Sequence, residues 1–283
     1  MNVIPEFTEI LPSTQAVIDG IPNSVAIRPA SPDAQVTVRG LSKSFAGKPL
    51  YTDFNLDLPR GKIVSIFGPN GCGKSSLMNM IAGLLKPDAG EILFDGKSLK
   101  DTRIGYVFQN YRDALFPWLT SMDNIAYPLR RGGMKNDEVQ ARVAELVKMF
   151  EIRFDLNRYP YELSGGQMQT VCIMRALATK PEVMFLDEPF SALDFEMTLF
   201  IREKLQDAQA ATGVTMVIVS HDLEDAVFLA DQILLLTRRP TRIAEIVPFN
   251  LPRPRSPESS ADPEFVRVKA HTLEVFRREM NAP

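Results

Sequence analysis

Short runs of apolar, often β-branched residues alternate with longer amphipathic segments along this chain. Residues 63–67, 183–186 and 214–219 are mainly apolar runs of the length typical of buried parallel strands. Residues 36–39 and 54–58 instead alternate between apolar and polar positions, which predicts half-buried antiparallel strands. The pattern therefore predicts an α/β chain that contains both a parallel and an antiparallel sheet.

Helical periodicity fills segments between these strands. Residues 75–85 have the apolar spacing of one helical face, and Leu84 is among the positions on that face. A second stretch of helical spacing covers residues 121–150 and lies between the β-rich parts of the chain. We therefore predict a helical subdomain, about residues 111–165, inserted into an α/β core.

Domain organisation follows from where the periodic patterns begin and end. Residues 1–34 contain five prolines and no sustained apolar period, which predicts a loosely ordered extension. Residues 35–250 carry the patterns of one domain, and residues 251–283 are predicted to form a tail with a helix. Residues 1–11 lack the features of a secretory signal, and no run of about 18 apolar residues predicts a membrane span.

The composition argues against some functions and environments. The net charge of −3 gives no basic excess, so no nucleic acid is expected as the main partner. Cys72 and Cys172 are the only two cysteines and lie far apart, so neither a disulfide framework nor a cysteine metal site is predicted. A reducing cytosol is therefore the predicted environment.

A glycine-rich segment, residues 68–75, carries the clearest chemistry. It reads Gly-Pro-Asn-Gly-Cys-Gly-Lys-Ser and matches the phosphate-loop pattern G-x-x-x-x-G-K-[S/T], with a strand before it and a helix after it. Its glycines let backbone N–H groups surround phosphate oxygens. Lys74 brings a positive charge to the β- and γ-phosphates, and the Ser75 hydroxyl can ligate Mg²⁺. A chance glycine-rich turn does not explain both flanks, so we predict a nucleoside triphosphate site.

Two later strands end in ionisable residues. The run 183–186 is followed by Asp187 and Glu188, at the strand end where open parallel sheets bind ligands. Asp187 is predicted to hold Mg²⁺ through its water shell, and Glu188 to orient or deprotonate the attacking water. His221 follows the run 214–219. A single histidine is more often structural than catalytic, but this one also ends a core strand on the ligand side.

A further motif, residues 163–167, reads Leu-Ser-Gly-Gly-Gln. Taken alone, Ser164 and Gln167 form a capping box that opens the next helix, which requires no functional role. Its neighbours change that interpretation, because it belongs to a longer series of motifs. In chain order, the series is residues 68–75, Gln109, 163–167, 186–189, 191–194 and 220–222.

This series resembles that of the ATP-binding subunits of ABC transporters, over about residues 36–275. The resemblance implies a phosphate-loop NTPase core (the ABC ATPase fold) with an antiparallel β subdomain and an inserted helical subdomain. It implies ATP and Mg²⁺ as cofactors and ATP hydrolysis that drives solute import. It implies a homodimer, or a pair with a close homologue, because the signature (residues 164–167) acts on ATP held by the other copy. The other implied partners are membrane permease subunits and, indirectly, a solute-binding protein, which places the chain peripherally at the cytoplasmic face of the inner membrane.

Site residues follow from the resemblance, position by position. The implied catalytic groups are Glu188, His221, Gln109 and Lys74, and the implied metal ligands are Ser75, Gln109 and Asp187. The implied nucleotide contacts are Phe45, Gly68, Pro69, Asn70, Gly71, Cys72, Gly73, Lys74, Ser75, Ser76, Gln109, Ser164, Gly165, Gly166, Gln167, Asp187 and His221. Asp194 would lie at the dimer seam. Phe45 would stack on adenine, although its position alone fits an ordinary core aromatic equally well.

A narrower resemblance rests on short segments. Residues 115–120, which include Phe116, Pro117 and Trp118, and the tail segment 251–255 resemble importers of nitrate, sulfonate, taurine, cyanate or bicarbonate. We expect the aromatic loop to dock the permease, the alternative being that Trp118 packs in the core. Three positions depart from the ABC pattern: Phe45 in place of tyrosine, Ser76 in place of threonine and Thr170 in place of arginine.

Two other classes of function remain open from the residues. A soluble ABC ATPase acting on DNA or ribosomes usually carries two cassettes or a long coiled-coil insertion, and this sequence shows neither. A small-molecule phosphotransferase could share the phosphate loop, but it would lack residues 164–167 and the Ser220-His221 pair.

Overall fold

The computed structural model describes residues 31–281, and its strands form two sheets. The predicted extension, residues 1–34, lies outside the described residues as far as residue 30. One sheet is antiparallel and contains β1 (Ala34–Phe45), β2 (Lys48–Pro59) and β4 (Ala89–Phe94), with β1 in the centre. The other contains β3 (Ile63–Phe67), β5 (Ile104–Val107), β6 (Val183–Asp187), β7 (Thr215–Val219), β8 (Gln232–Leu236) and β9 (Ile243–Pro248).

Strand pairing confirms the two periodicities seen in the sequence. In the antiparallel sheet Val36 pairs with Leu58, and both side chains are fully buried while polar residues alternate with them. The six-stranded sheet has the order β5-β6-β7-β3-β8-β9, parallel except for the edge strand β9. Its central strand β3 is buried along its whole length, as its mainly apolar sequence predicts.

Helices cover the parallel sheet and form the inserted segment. They are α1 (Lys74–Ile81), α2 (Tyr111–Ala114), α3 (Ser121–Arg131), α4 (Asn136–Met149), α5 (Gly165–Ala178), α6 (Phe195–Thr212), α7 (Leu223–Leu229) and α8 (Pro263–Asn281). Helices α2, α3 and α4 follow β5 and precede β6, which confirms that helical chain is inserted between strands of the sheet. Within residues 31–281, none of the helices has the length and apolar character needed to cross a bilayer.

The first helix ends earlier than its apolar spacing predicts. Helix α1 ends at Ile81 because Gly83 adopts a left-handed conformation with φ 72°, and the amides of Leu84 and Leu85 both turn back to Asn79 O. The prediction that Leu84 lies on the buried face is therefore wrong, since 55% of this residue is exposed.

The strand order brings the predicted chemistry to one edge of the parallel sheet. Strand β7 lies between β3 and β6, so the carboxyl ends of these three strands are neighbours. Asp187 pairs directly with Val219, and β3 runs into the phosphate loop. The segments that follow the three strands therefore start side by side, which is where ligands bind in open parallel sheets.

Candidate functional site

The phosphate loop, residues 68–75, requires glycine where its backbone meets neighbouring elements. Gly73 has φ 102°, and a Cβ placed on it would lie 2.9 Å from the Leu50 side chain of β2. A Cβ on Gly68 would lie 2.8 Å from the Leu236 carbonyl oxygen at the end of β8. Larger residues at either position would displace the loop from the two sheets that it joins.

Three side chains from outside the motif hold the loop from behind. The Tyr51 hydroxyl donates to Gly73 O (3.0 Å), the Thr241 hydroxyl to Cys72 O (2.6 Å) and Arg239 Nε to Gly71 O (2.7 Å). Because three consecutive carbonyls are bound in this way, parts of the chain remote in sequence hold the loop in place through its carbonyls and not through the amides that would face phosphate oxygens. Sequence motifs gave no indication of these three residues.

Lys74 is a buried cation held within the loop. Only 7% of the residue is exposed, and its Nζ donates to Gly68 O at 2.9 Å and to Pro69 O at 3.2 Å. Carbonyl oxygens partly compensate a buried ammonium group, but they carry no full negative charge. A phosphate anion is therefore a better partner than the carbonyls, which fits the role expected for Lys74. Ser76, on the first turn of α1, is half-buried.

Asp187 is a buried carboxylate next to the loop. The Ser75 hydroxyl donates to Asp187 Oδ1 at 3.1 Å, and the aspartate is 7% exposed. Burial is the main reason that the pKa of Asp187 is raised to about 6. The charge of Glu188 also raises the pKa, whereas the hydrogen bond from Ser75 and the charge of Lys74 lower it.

Glu188 is the point at which two other predicted residues meet. Gln109 Nε2 donates to Glu188 Oε2 at 2.8 Å, and His221 Nδ1 lies 3.2 Å from the same oxygen. The glutamate has φ 48°, a conformation uncommon outside glycine, and its amide donates to Val219 O at 2.9 Å. Strained backbone of this kind is concentrated at functional sites. The structure thus gathers Gln109, Glu188 and His221 at the edge where Asp187 and the phosphate loop also lie.

The side-chain atoms available to ligate a metal fit Mg²⁺ better than a softer metal. The Ser75 hydroxyl, the Asp187 carboxylate and the Gln109 amide supply hard oxygen atoms, and the Gln109 nitrogen is already bound to Glu188. No cluster of three or more His, Cys, Asp or Glu side chains able to hold a metal occurs within residues 31–281. So few protein ligands suit an ion such as Mg²⁺, which keeps waters and binds together with substrate phosphates.

The signature, residues 164–167, starts α5 and is bound chiefly to itself. The Gln167 amide donates to Ser164 Oγ at 3.3 Å, and the Ser164 amide donates to Gln167 Oε1 at 3.0 Å, which confirms the capping box. A Cβ on Gly165 would lie 2.7 Å from Tyr111 Oη, and one on Gly166 would lie 2.6 Å from Met197 Cγ. Among residues 31–281, no hydrogen bond joins the signature to the phosphate loop of the same chain.

Thr170, at the position often occupied by arginine in the family, is 1% exposed and donates to Gly166 O at 2.8 Å. The threonine thus satisfies its hydroxyl within α5 itself. It lines an open groove of about 430 Å³ together with Phe154, Met197 and Phe200. Asp194 caps α6, because its Oδ1 accepts from the Met197 amide at 2.8 Å.

The exposed fractions of Phe45 and Trp118 show whether either side chain packs in the core. Phe45, at the end of β1, is 42% exposed and has Lys43 Nζ 5.6 Å from its ring centre, so the core alternative for Phe45 is wrong. Trp118 is 70% exposed, and the core alternative is wrong there too. Both rings lie at the surface, where a ligand or a partner can reach them.

Comparison with known proteins identifies the family. The family described as ABC transporter matches residues 51–191. The aliphatic sulfonates import ATP-binding protein SsuB of Bacillus licheniformis is 39% identical over 226 residues, which are 79% of this chain and 86% of SsuB. The spermidine/putrescine import ATP-binding protein PotA of Haemophilus influenzae is 38% identical over 208 residues, which are 72% of this chain. The match covers 55% of PotA, so the chain spans about half the length of that relative.

A solved structure supports the same assignment. The structure described as a dimeric post-hydrolysis state of the ATP-binding cassette MJ0796 bound to ADP and Pi has a TM-score of 0.67 and 32% identity. It covers 76% of this chain and 99% of that cassette. From its motifs, its fold and these relatives, the chain belongs to the ABC transporter family and has the fold of its ATPase cassettes.

Proposed function

We propose that this chain binds ATP with Mg²⁺ and hydrolyses it as one of two ATPase subunits of an ABC importer. The observation that carries the proposal is the convergence of Gln109 and His221 on the Glu188 carboxylate, beside Asp187 and the phosphate loop. Bound Mg²⁺ supplies positive charge to the phosphates. Ser75, Asp187 and Gln109 are the residues that would hold it.

Within this arrangement each side chain has a distinct task. Lys74 exchanges its carbonyl partners for phosphate oxygens and so binds the nucleotide. Glu188 accepts a proton from, or orients, the attacking water, because it is a carboxylate at the edge of the sheet with 18% of its side chain exposed. Gln109 and His221 fix the orientation of that carboxylate through its Oε2 atom.

The site of one chain is incomplete for hydrolysis, and we propose that a second copy completes it. The signature makes no hydrogen bond to the phosphate loop of its own chain within residues 31–281, and its Ser164 is exposed. A signature facing outward suits contact with ATP held by a partner, and the MJ0796 cassette is described as dimeric. ATP would thus bring two copies together head to tail, and hydrolysis would release them.

The proposed site of permease docking is the aromatic loop. Phe116 contacts the rings of both Trp118 and Tyr127, at centroid distances of 5.4 and 4.8 Å. The exposed Trp118 is therefore packed on one side against Phe116. A cleft of about 470 Å³ lies beside it, between Pro117 and the exposed Tyr161. Exposed aromatic residues that flank a cleft are common anchors for a partner helix. Such docking would keep the chain at the inner face of the membrane.

For the imported solute we propose a small anion such as a sulfonate, taurine, nitrate or bicarbonate. Two observations support this choice: the match to 86% of the length of a protein named for sulfonates, and the segments 115–120 and 251–255 of the sequence. PotA is named for polyamine cations and is matched over only 55% of its length. The chain is not expected to touch the solute, so the choice needs a transport measurement.

Two experiments test the proposals on ATP hydrolysis and on the solute. ATP hydrolysis by the full chain, with and without Mg²⁺, tests the ATPase, and hydrolysis that persists without divalent cations would contradict the metal assignment. Uptake of radiolabelled taurine, nitrate, bicarbonate or spermidine by liposomes containing the full transporter tests the solute class. Uptake of spermidine but of no anion would contradict the anion proposal.

Permease docking is tested by truncating the exposed indole. We expect Trp118→Ala to weaken assembly with the permease by about 2 kcal/mol, as truncation of an interface anchor does. The melting temperature of the isolated chain should stay unchanged, because Trp118 is 70% exposed. Leu84→Ala, at an exposed apolar residue outside the loop, is the control. Equal binding of the two variants to the permease would contradict docking through this loop.

A further inference from the structure

One buried tyrosine connects the segment that carries Gln109 with the signature. Tyr111 is the first residue of α2, two positions after Gln109, and is 4% exposed. Its backbone carbonyl accepts a weak hydrogen bond from Cys172 Sγ of α5 at 3.7 Å. Tyr111 therefore packs against the signature helix through its backbone as well as through its ring.

The phenol group lies directly against the first glycine of the signature. A Cβ placed on Gly165 would be 2.7 Å from Tyr111 Oη, and 3.6 and 3.7 Å from the ring atoms Cζ and Cε2. Only the hydroxyl is close enough to forbid a side chain at Gly165. The Tyr111 phenol group thus occupies the space that a side chain at Gly165 would need. Because protein interiors are close-packed, we expect a displacement of one segment to be transmitted to the other.

The Tyr111 hydroxyl has no use in the fold as described. It is buried and has no hydrogen-bond partner among residues 31–281. A buried hydroxyl without a partner destabilises the arrangement that contains it. Phenylalanine would fill the same space without this cost.

We propose that Tyr111 is a positioning residue for hydrolysis. Its phenol side chain packs against Gly165 and thereby holds the signature in the orientation that meets the nucleotide of a second copy. Gln109 is hydrogen-bonded to Glu188 and lies only two residues before Tyr111. Tyr111 therefore also transmits a movement of Gln109 to the signature. This inference rests on the proposed function, because it assigns Tyr111 to the same composite site.

Steady-state kinetics on the full chain separate positioning from nucleotide binding. We expect Tyr111→Ala to lower kcat for ATP hydrolysis by about tenfold to a hundredfold, as small misplacements of site groups do. The KM for ATP should change little, because Tyr111 is not part of the phosphate loop. Tyr111→Phe, which keeps the ring, should restore kcat. Leu146→Ala, which truncates a fully buried residue of α4, is the control for general destabilisation.

Thermal melts of the same chain test the contact without reference to activity. We expect Tyr111→Phe to raise the melting temperature by about 2–4 °C, because it removes an unpaired buried hydroxyl. Gly165→Ala should lower the melting temperature, and Tyr111→Phe should relieve that loss, because the remaining ring atoms lie at ordinary contact distance. The double variant should therefore melt close to the Tyr111→Phe chain.

Each result has a defined meaning. Additive effects of Gly165→Ala and Tyr111→Phe on the melting temperature would overturn the contact. A Tyr111→Ala chain with normal kcat, or one whose loss of kcat is matched by Leu146→Ala, would overturn the positioning role. Failure of the wild-type chain to hydrolyse ATP would instead contradict the proposed function, whereas the melting experiment would still test the contact.

Discussion

The phosphate loop and the signature are both glycine-containing segments at the start of a helix, but they are held differently. Carbonyls of the loop are bound from behind by Tyr51, Arg239 and Thr241, all remote in sequence. The signature is held by its own capping box and by close packing on its two glycines. The loop is thus supported for a ligand of its own chain, and the signature presents its exposed serine to something outside.

The charged groups differ in the same way. Lys74 and Asp187 of the loop side are both 7% exposed, so each carries a burial cost that a bound nucleotide with Mg²⁺ would reduce. The signature contains no charged residue, so it gains nothing comparable from a ligand of its own chain. Two copies arranged head to tail would bring the phosphate loop of one chain against the signature of the other.

The largest expected effect comes from removing the Glu188 carboxylate while the phosphate loop and the signature stay unchanged. We expect Glu188→Gln to lower kcat by about 10²- to 10⁴-fold, the contribution typical of a general base. ATP should still bind and should now hold two copies together, visible as an ATP-dependent dimer in size-exclusion chromatography. Normal turnover by Glu188→Gln would contradict the assignment of Glu188 as the catalytic carboxylate.

Variants that change only the phosphate loop or only the signature sharpen the comparison. We expect Lys74→Ala to abolish hydrolysis and to weaken ATP binding to the isolated chain by about ten- to a hundredfold, because a charge-assisted hydrogen bond to phosphate is lost. We expect Ser164→Asp to leave that binding unchanged and to abolish hydrolysis, because a negative charge would face the partner's phosphates. Aspartate still caps α5, so stability should be kept. Calorimetric titration with ATP measures the affinity of both variants. A Ser164→Asp chain that fails to bind ATP would contradict the claim that the phosphate loop binds ATP without the signature of its own chain.

The pH dependence of stability tests how strongly the loop side is buried. Between the ordinary pKa of 3.8 and the raised value of about 6, folded Asp187 keeps a proton that the unfolded chain loses. Its contribution to stability therefore falls as the pH rises through this window, and the full cost is present above it. Without nucleotide and Mg²⁺, we expect Asp187→Asn to raise the free energy of unfolding by about 2–3 kcal/mol at neutral pH. Denaturant titrations should show the two chains converging towards pH 4, and a constant difference at all pH values would contradict the raised pKa.

The smallest expected effect is at the rim of the loop side. We expect Phe45→Ala to weaken ATP binding by about 1–3 kcal/mol, as loss of base stacking does. Stability should hardly change, because Phe45 is 42% exposed. Phe45→Tyr, which keeps the ring, should bind ATP as the parent chain does. Unchanged ATP affinity of Phe45→Ala in fluorescence titrations would exclude stacking by this residue.

Contiguous motifs carried most of what the sequence predicts. The strand before the phosphate loop, the capping box and the acids that end β6 are local patterns, and the structure contains each of them. The strand order then brings their ends together, as parallel pairing of apolar runs requires. The roles of Glu188, Asp187 and the other site residues stay predictions, which the variants above test.

Contacts between distant segments could not be predicted. Arg239 and Thr241 lie more than 160 residues from the carbonyls that they bind, and neither belongs to a motif. Tyr111 lies near Gln109, but nothing in the sequence shows that its hydroxyl meets Gly165. The exposed position of Leu84 is not predicted either, because apolar spacing does not reveal that Gly83 ends the helix. Packing between elements decides such positions, and a single sequence records packing only indirectly.

The central claim, that the signature of one copy acts on ATP held by the other, is tested by mixing two inactive chains. Lys74→Ala disables only the phosphate loop and Ser164→Asp only the signature. In a mixed dimer one site combines the intact loop of one chain with the intact signature of the other. We predict that the mixture hydrolyses ATP although neither chain does so alone. A mixture that forms mixed dimers, as shown by two affinity tags, yet stays as inactive as its components would contradict the account.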